Sequence, residues 1–452
     1  MYEDPLQDRY GSDQMREIWG EFNKFAQWRR LWVSLSEAQS YTKMVDIPDK
    51  TIRKMREETF NIDIDKIKEY EKEVGHDVYA AILEFHDKCG SDHGKFIHLG
   101  ATSQFVVDNG DCIRIRQSLD LIVDKMKELL GYMCLRAESL KDRECVGYTH
   151  GQKAQLTTIG RRISMWGESI AMCLDEIIRI KSEMKWRGAK GAVGNQTGYC
   201  YMNPDTVIFM EEYLCERFEF SPFSNCGQTY HRTQDIFIAS SMVASAAAMS
   251  KMAQDIRLLC AMGEMSEKKT EVGSSAMPYK TNPITSEKVC SLSRMVLSLF
   301  SSFAETASTQ WLERSLDDSA NRRVSFPKMF IMVDEMVKCC IKLIDEATFY
   351  DQPDKVNEHL PYAVMEWVVT KAVINGYDRV EMHEKMRQAA NSTLTGQHLI
   401  NNVLSIPELK GVDTKEARTA KIHLGNSVKQ VEKFISTTRH KIYTRMPVCE
   451  TL

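Results

Sequence analysis

The sequence is short of the residues that interrupt helices. Its 23 glycines and 11 prolines are a far smaller share of 452 residues than the roughly 12 % of average usage. The prolines are also bunched: none falls between Pro48 and Pro204, or between Pro222 and Pro278. Stretches of that length without a breaker permit long helices and argue against many short strands joined by turns. Cysteine is sparse too. Thirteen of them with no CxxC pair exclude a disulfide scaffold and read as the reduced thiols of a cytosolic chain. The eleven histidines include no pair three or four residues apart, so the sequence offers no helical zinc motif, and no metal is expected. Neither sign of charge is in excess. Lys and Arg number 59 against 63 Asp and Glu, a net charge of −4, and no global field points to a nucleic-acid partner. An anionic ligand would have to be held by a local cluster. Long apolar runs are missing as well: residues 241–253 are the most apolar, and Arg232, Asp235, Lys251 and Asp255 hem them in. No membrane span is expected there. The opening MYEDPLQDRYGSDQ is acidic and polar, unlike a secretory signal, which again predicts a cytoplasmic protein.

What is there is a core-forming composition, 43 % hydrophobic and 27 % charged, at a length that predicts about three domains. Residues 19–39 are aromatic and helically spaced; Asp46, Pro48 and Asp49 end that run, and one charged helix is expected from there through Glu73. A Gly/His-rich patch, GKFIHLGATSQ with His98, closes a first domain over 1–103. Beyond it Leu119, Ile122, Met126, Leu129 and Met133 fall on one helix face. Ile236, Ala239, Val243, Ala246, Met249, Ala253, Ile256 and Cys260 form a longer, alanine-rich stripe that suits close helix packing. A third long helix is predicted from Thr285, its N-cap, to about Thr309. These make a central bundle over 104–350. Breakers return at Pro353 and Pro361, and 351–452 reads as a smaller helical domain. The fold class expected is all-α.

Five polar patches interrupt this pattern. GSSAMPYKTNPITSEK (273–288) puts two serines behind a glycine, with Lys280 and Asn282 before a helix start. Such a loop is rich in backbone donors and suits closure around an anion, with a cation and amides stabilising a serine alkoxide. GYTHGQKAQLTTIGRR (147–162) carries His150 among small polar residues, a candidate general acid or base. The others hold His76 and Asp77 with His98, Thr102 and Ser103; Gln228 to Arg232; and Arg314 to Arg323 with Asp317, Asp318, Ser319 and Arg322. Together they supply the cations, hydroxyls and histidines that a polyanionic substrate needs.

GSSAMPYKTNP resembles the signature loop of the fumarase/aspartase superfamily, and HLGATS, THGQKAQ, GQTYHR and QWLERSLDDSANRR resemble its companion segments. The likeness runs from Asp8 to at least Arg323. It implies a three-domain α-helical subunit whose long helices assemble into a homotetramer with active sites shared between subunits, and no cofactor. The reaction implied is β-elimination of fumarate from a succinylated purine nucleotide and from its imidazole-carboxamide analogue. By the same resemblance Ser274 is the base, Lys280 and Asn282 hold the intermediate, His150 is the general acid and His76 supports it. Arg9, Tyr10, Asp77, Thr102, Ser103, Gln228, Lys288, Arg314, Ser319 and Arg323 match substrate-binding positions. Relatives often carry Arg where this chain has Gly75 and Lys288, so one phosphate contact is missing and one loses its bidentate geometry. Argininosuccinate lyase or fumarase chemistry remains an alternative on the signature loop alone; the arginine-rich 314–323 segment favours a phosphorylated substrate. A retired, merely binding homologue would show damage at Ser274, His150 or Lys280, and none is seen.

Overall fold

A computed structural model describes residues 4–267, 277 and 279–443. The described residues are mainly helical. The long helices are α1 (Glu21–Tyr41), α2 (Asp77–Cys89), α3 (Ser103–Ser139), α4 (Ile159–Glu183), α5 (Thr233–Ala261), α6 (Ile284–Thr309), α7 (Asp318–Glu346), α8 (Pro353–Ile374) and α9 (Ser427–Tyr443). Among the described residues, strand content is confined to three two-stranded pairings, of which the largest is an antiparallel hairpin, β1 (Glu144–Thr149) and β2 (Gln152–Thr158).

The chain forms two compact units, each built from three stretches: 1–125, 173–247 and 291–338 in the first, 126–172, 248–290 and 339–452 in the second. In the first, the aromatic residues of the opening segment fill a core. Trp19 stacks on Phe326 and Phe330 at 6.2 and 5.7 Å, while Trp28, Trp32 and Phe85 pack edge-on and stacked. In the second, Val356, Leu360, Val364 and Val368 of α8 pack with Leu399 and Val403, and Val146 and Leu156 of the hairpin join them.

Several helices follow the sequence pattern closely. Leu119, Ile122, Met126, Leu129 and Met133 are all buried along α3. Along α5 the buried face is Ala239, Ala246, Met249, Ala253 and Ile256, widened by Ile238, Met242 and Met252. By length and composition α5 could cross a membrane, although half of its most apolar window is buried inside the protein, as in a core helix. The helix expected from Thr285 starts one residue earlier and ends at Thr309.

Other expectations need correction. The aromatic run breaks at Gly20, whose ψ of 157° separates a short helix, Asp13–Trp19, from α1. The charged helix through Glu73 is two helices, Asp49–Glu57 and Ile64–Val74; Asp63 caps the second by accepting from the Lys66 amide. Thr285 is not a cap. The Glu267 carboxylate reaches the first turn of α6 instead and accepts from the Thr285 and Ser286 amides at 3.0 and 2.9 Å. A carboxylate there satisfies orphan donors and meets the positive end of the helix dipole. Pro353 opens α8 at a position that needs no amide donor, and Pro361 lies within that helix rather than ending it.

The 147–162 patch folds as a hairpin, which the sequence reading did not foresee. Thr149 pairs with Gln152, leaving His150 and Gly151 as a two-residue turn with φ of 53° and 73°. Positive φ at both positions is the type I′ geometry that matches strand twist.

Candidate active site

The first unit gathers most of the expected binding residues at the starts of three helices. Gly75 ends the helix before α2 in the left-handed conformation (φ 67°), which glycine adopts without the steric cost an arginine there would carry. His76 then caps α2: its Nδ1 accepts from the Tyr79 amide at 3.3 Å. With Nδ1 accepting, the proton sits on Nε2, which lies 3.3 Å from Ser103 Oγ in the first turn of α3. Asp77 Oδ1 is 3.6 Å from the same imidazole, and Asp77 Oδ2 accepts from Arg323 at 2.6 Å. The His76 and Arg323 side chains remain half exposed or more, so the cluster His76–Asp77–Ser103–Arg323 is open to a ligand.

A second chain of contacts runs beside it. Thr102 Oγ1 lies 3.5 Å from Gln228 Nε2, which also donates to the Ala192 carbonyl at 3.0 Å. Gln228 Oε1 accepts from Arg314 at 2.9 Å. Gln104, with its amide oxygen turned toward Arg314, accepts from both guanidinium nitrogens at 2.8 and 3.0 Å and donates to Asp108 at 3.0 Å. The close fit is enforced by glycine: a Cβ on Gly227 would stand 2.4 Å from the Glu313 carbonyl, whose oxygen accepts from the Gln228 amide. Ser319 sits in the first turn of α7, four residues before Arg323.

Beneath these side chains lies a buried ion network whose pairings the sequence did not reveal. Arg232 bridges Asp108 at 2.8 Å and Asp318 at 2.6 Å. Arg322 reaches Asp235 at 2.8 Å, Asp111 at 3.2 Å and the Tyr230 hydroxyl at 2.6 Å. Burial alone would push the Asp111 carboxyl up, but the guanidinium groups of Arg114 and Arg322 hold it below the usual carboxylate range. The network fixes the start of α7, and with it Arg314 and Arg323. Its legible signal is Gln104, Asp108 and Asp111, polar residues at helical spacing in the first turns of α3.

His98 is held at φ 66°, with its Nδ1 accepting from Trp32 Nε1 at 2.8 Å. Burial, and then the nearby His76, push its imidazole down to about 4. The folded state therefore favours neutral His98, while the unfolded chain takes up a proton near pH 6.5. Stability is full above that pH and is lost as pH falls from about 6.5 to about 4, by on the order of 3 kcal/mol. His98→Asn, which tolerates the same backbone, should flatten this limb in denaturant unfolding measured from pH 7 to 4. An unchanged slope would exclude His98 as its source.

Arg9 and Tyr10 belong to a segment that runs along α7, where Asp4 pairs with Lys328 at 3.1 Å. Their segment is pinned to α7 by the Gly11 and Ser12 amides, which donate to Glu335 and Asp334, about three turns beyond Arg323.

The second unit holds the remaining residues. His150 is exposed at the hairpin tip. The hairpin is anchored by Tyr148, whose hydroxyl donates to the buried Glu264 carboxylate at 2.6 Å; Lys355 meets the same carboxylate at 3.2 Å. Burial and Glu264 together push the Tyr148 phenol well up, so it stays a donor. Lys280 is exposed, the Asn282 carbonyl accepts from the Ile284 amide, and Lys288 lies in the second turn of α6. Ser274 lies outside the described residues. Glu264 and Glu267 were missed by sequence reading, since an isolated glutamate carries no signal of burial. The hairpin did have one, a His-Gly pair between β-prone runs.

Solved structures share this architecture. A 3-carboxy-cis,cis-muconate lactonizing enzyme from Pseudomonas putida superposes with a TM-score of 0.82, at 20 % identity, over 97 % of this chain and 99 % of its own. A fumarate lyase from Mesorhizobium does so at 0.81, with 17 % identity, over 96 % and 99 %. At such identities they define the fold, that of the fumarate lyase superfamily. A lyase family model matches residues 12–298. Sequence similarity is greater to adenylosuccinate lyases: 37 % identity over 85 % of this chain and 82 % of the Saccharomyces cerevisiae protein. The Schistosoma mansoni adenylosuccinate lyase is 35 % identical over 96 % of this chain and 94 % of its own. The chain belongs to the lyase family of this superfamily, on its adenylosuccinate lyase branch.

Proposed function

We propose that this chain eliminates fumarate from adenylosuccinate, leaving AMP, and from succinylaminoimidazole-carboxamide ribotide, leaving the aminoimidazole-carboxamide ribotide. The observation that carries this reading is the near full-length similarity to adenylosuccinate lyases. The grouping of His76, Asp77, Ser103, Gln228, Arg314 and Arg323 supports it, since it joins cations and hydroxyls as a phosphorylated dicarboxylate requires.

Ser274 removes the proton from the succinyl carbon beside the carboxylate, and the charge that develops is held by Lys280 and Asn282. The C–N bond then breaks, and His150 delivers a proton to the departing nitrogen. Thr102, Ser103, Gln228, Arg314, Ser319 and Arg323 bind the substrate with Asp77, Lys288, Arg9 and Tyr10, and His76 assists. The chemistry asks for no metal or cofactor.

The working form in this reading is a homotetramer with shared sites. Exposed Phe237 and Leu258 on α5, Met172 on α4, and Met295 and Leu297 on α6 are apolar surface that self-association would cover. Helix length supports the sharing: α3 has Ser103 at its first residue and runs about 55 Å before the strand leading to His150. The division into domains 1–103, 104–350 and 351–452 belongs to the same proposal. A cytoplasmic location is supported by the twelve described cysteines, all of them free thiols.

The direct test is incubation of purified protein with adenylosuccinate while fumarate and AMP are measured. Formation of both in equal amounts is expected. Folded protein that releases no fumarate from either nucleotide would refute the reading.

A further inference from the structure

The second unit contains a cleft of 730 Å³, walled by β1 and β2, the start of α4, the middle of α8 and the turn into α9, whose lining includes none of the catalytic or substrate-binding residues assigned above. Its size is that of a small-molecule site. Two opposite charges line it, Arg161 half-buried and Glu366 exposed. Arg161 donates through Nε to Gln430 at 2.6 Å, and its Nη1 rests 3.1 Å from the Met165 sulfur. Among the described residues no carboxylate pairs with it. Glu366 accepts from the neutral amide of Gln155 at 2.7 Å and has no cation partner among those residues. Between α8 and the cleft stands Trp367, half-buried, with the Lys371 ammonium 5.7 Å from its ring centroid.

Each of these groups asks for a definite partner. An unpaired guanidinium calls for an anion, best a phosphate or carboxylate in bidentate contact. An unpaired carboxylate calls for an N–H donor, and an indole face for a flat ring. We propose that this cleft is a second ligand site, distinct from the residues assigned above, for a nucleoside monophosphate whose base carries an exocyclic amine. The phosphate meets Arg161, the base lies on Trp367 and the amine donates to Glu366. The assignment does not depend on the chain's being an adenylosuccinate lyase.

AMP is the probe, and IMP, which lacks the amine, is the control. Equilibrium dialysis against the full chain should give, in addition to AMP held as product at the catalytic residues, a saturable equivalent of AMP whose Kd rises at least tenfold in Arg161→Ala and in Trp367→Ala. Both variants should keep wild-type unfolding curves and wild-type fumarate release at low AMP. Glu366→Gln, which preserves shape, should abolish the preference for AMP over IMP. An AMP isotherm unchanged in both alanine variants would overturn the site, and equal binding of AMP and IMP by the wild-type cleft would overturn the assigned ligand class. Absence of fumarate release, with the Arg161-dependent AMP equivalent intact, would refute the catalytic reading and leave this one standing.

Discussion

His150→Gln should lower turnover by at least about a hundredfold, the lower end of what a positioned general acid contributes. Gln keeps hydrogen-bonding capacity but cannot deliver a proton at neutral pH. The side chain is exposed at the hairpin tip, and the Tyr148–Glu264 contact that anchors the hairpin is untouched, so unfolding curves should hardly move. Ser274→Ala should be as severe, for want of a base. The informative experiment combines them. If each site draws on several subunits, mixing the two inactive variants and allowing subunit exchange creates some sites with both residues intact. Activity should then return to a measurable fraction of wild type. Hybrid tetramers, verified by mass, that stay as inactive as their parents would show that each site is built from one chain.

Arg322→Met should destabilise the protein by about 3–5 kcal/mol, the usual result of removing one partner from a buried ion pair. The reason is what it leaves behind. Arg322 is almost fully buried and neutralises Asp235 and Asp111 while donating to the Tyr230 hydroxyl. Methionine fills much of the volume but leaves two carboxylates with fewer counter-charges in a low-dielectric interior. Adding Asp235→Leu should recover part of the loss, because the uncompensated charge goes with it. Urea unfolding followed by circular dichroism tests both steps. A single variant within about 0.5 kcal/mol of wild type, the range of ordinary surface changes, would show that the network carries no structural load.

The two predictions divide the molecule by what could be read in advance. Helical periodicity along α3, α5 and α6 was legible because the apolar spacing of a buried helix face depends only on 3.6 residues per turn. The signature loop and its companion segments were legible for a different reason, their resemblance to a known family. His76, Ser103, Gln228, Arg314 and Arg323 could be named as candidates on that resemblance. Their connection was not, since His76 and Ser103 meet through the start of two helices 27 residues apart and Asp77 meets Arg323 across 246. Whether an arginine in 314–323 is exposed to solvent or buried as a counter-charge depends on which face of α7 meets α3 and α5. Arg323 went one way and Arg322 the other, although they are neighbours in the chain. Glu267 at the head of α6 and Glu264 under the hairpin are the same case. Linear spacing reports what a helix can present; only the packing of one helix on another decides which charge loses its water and must find a partner.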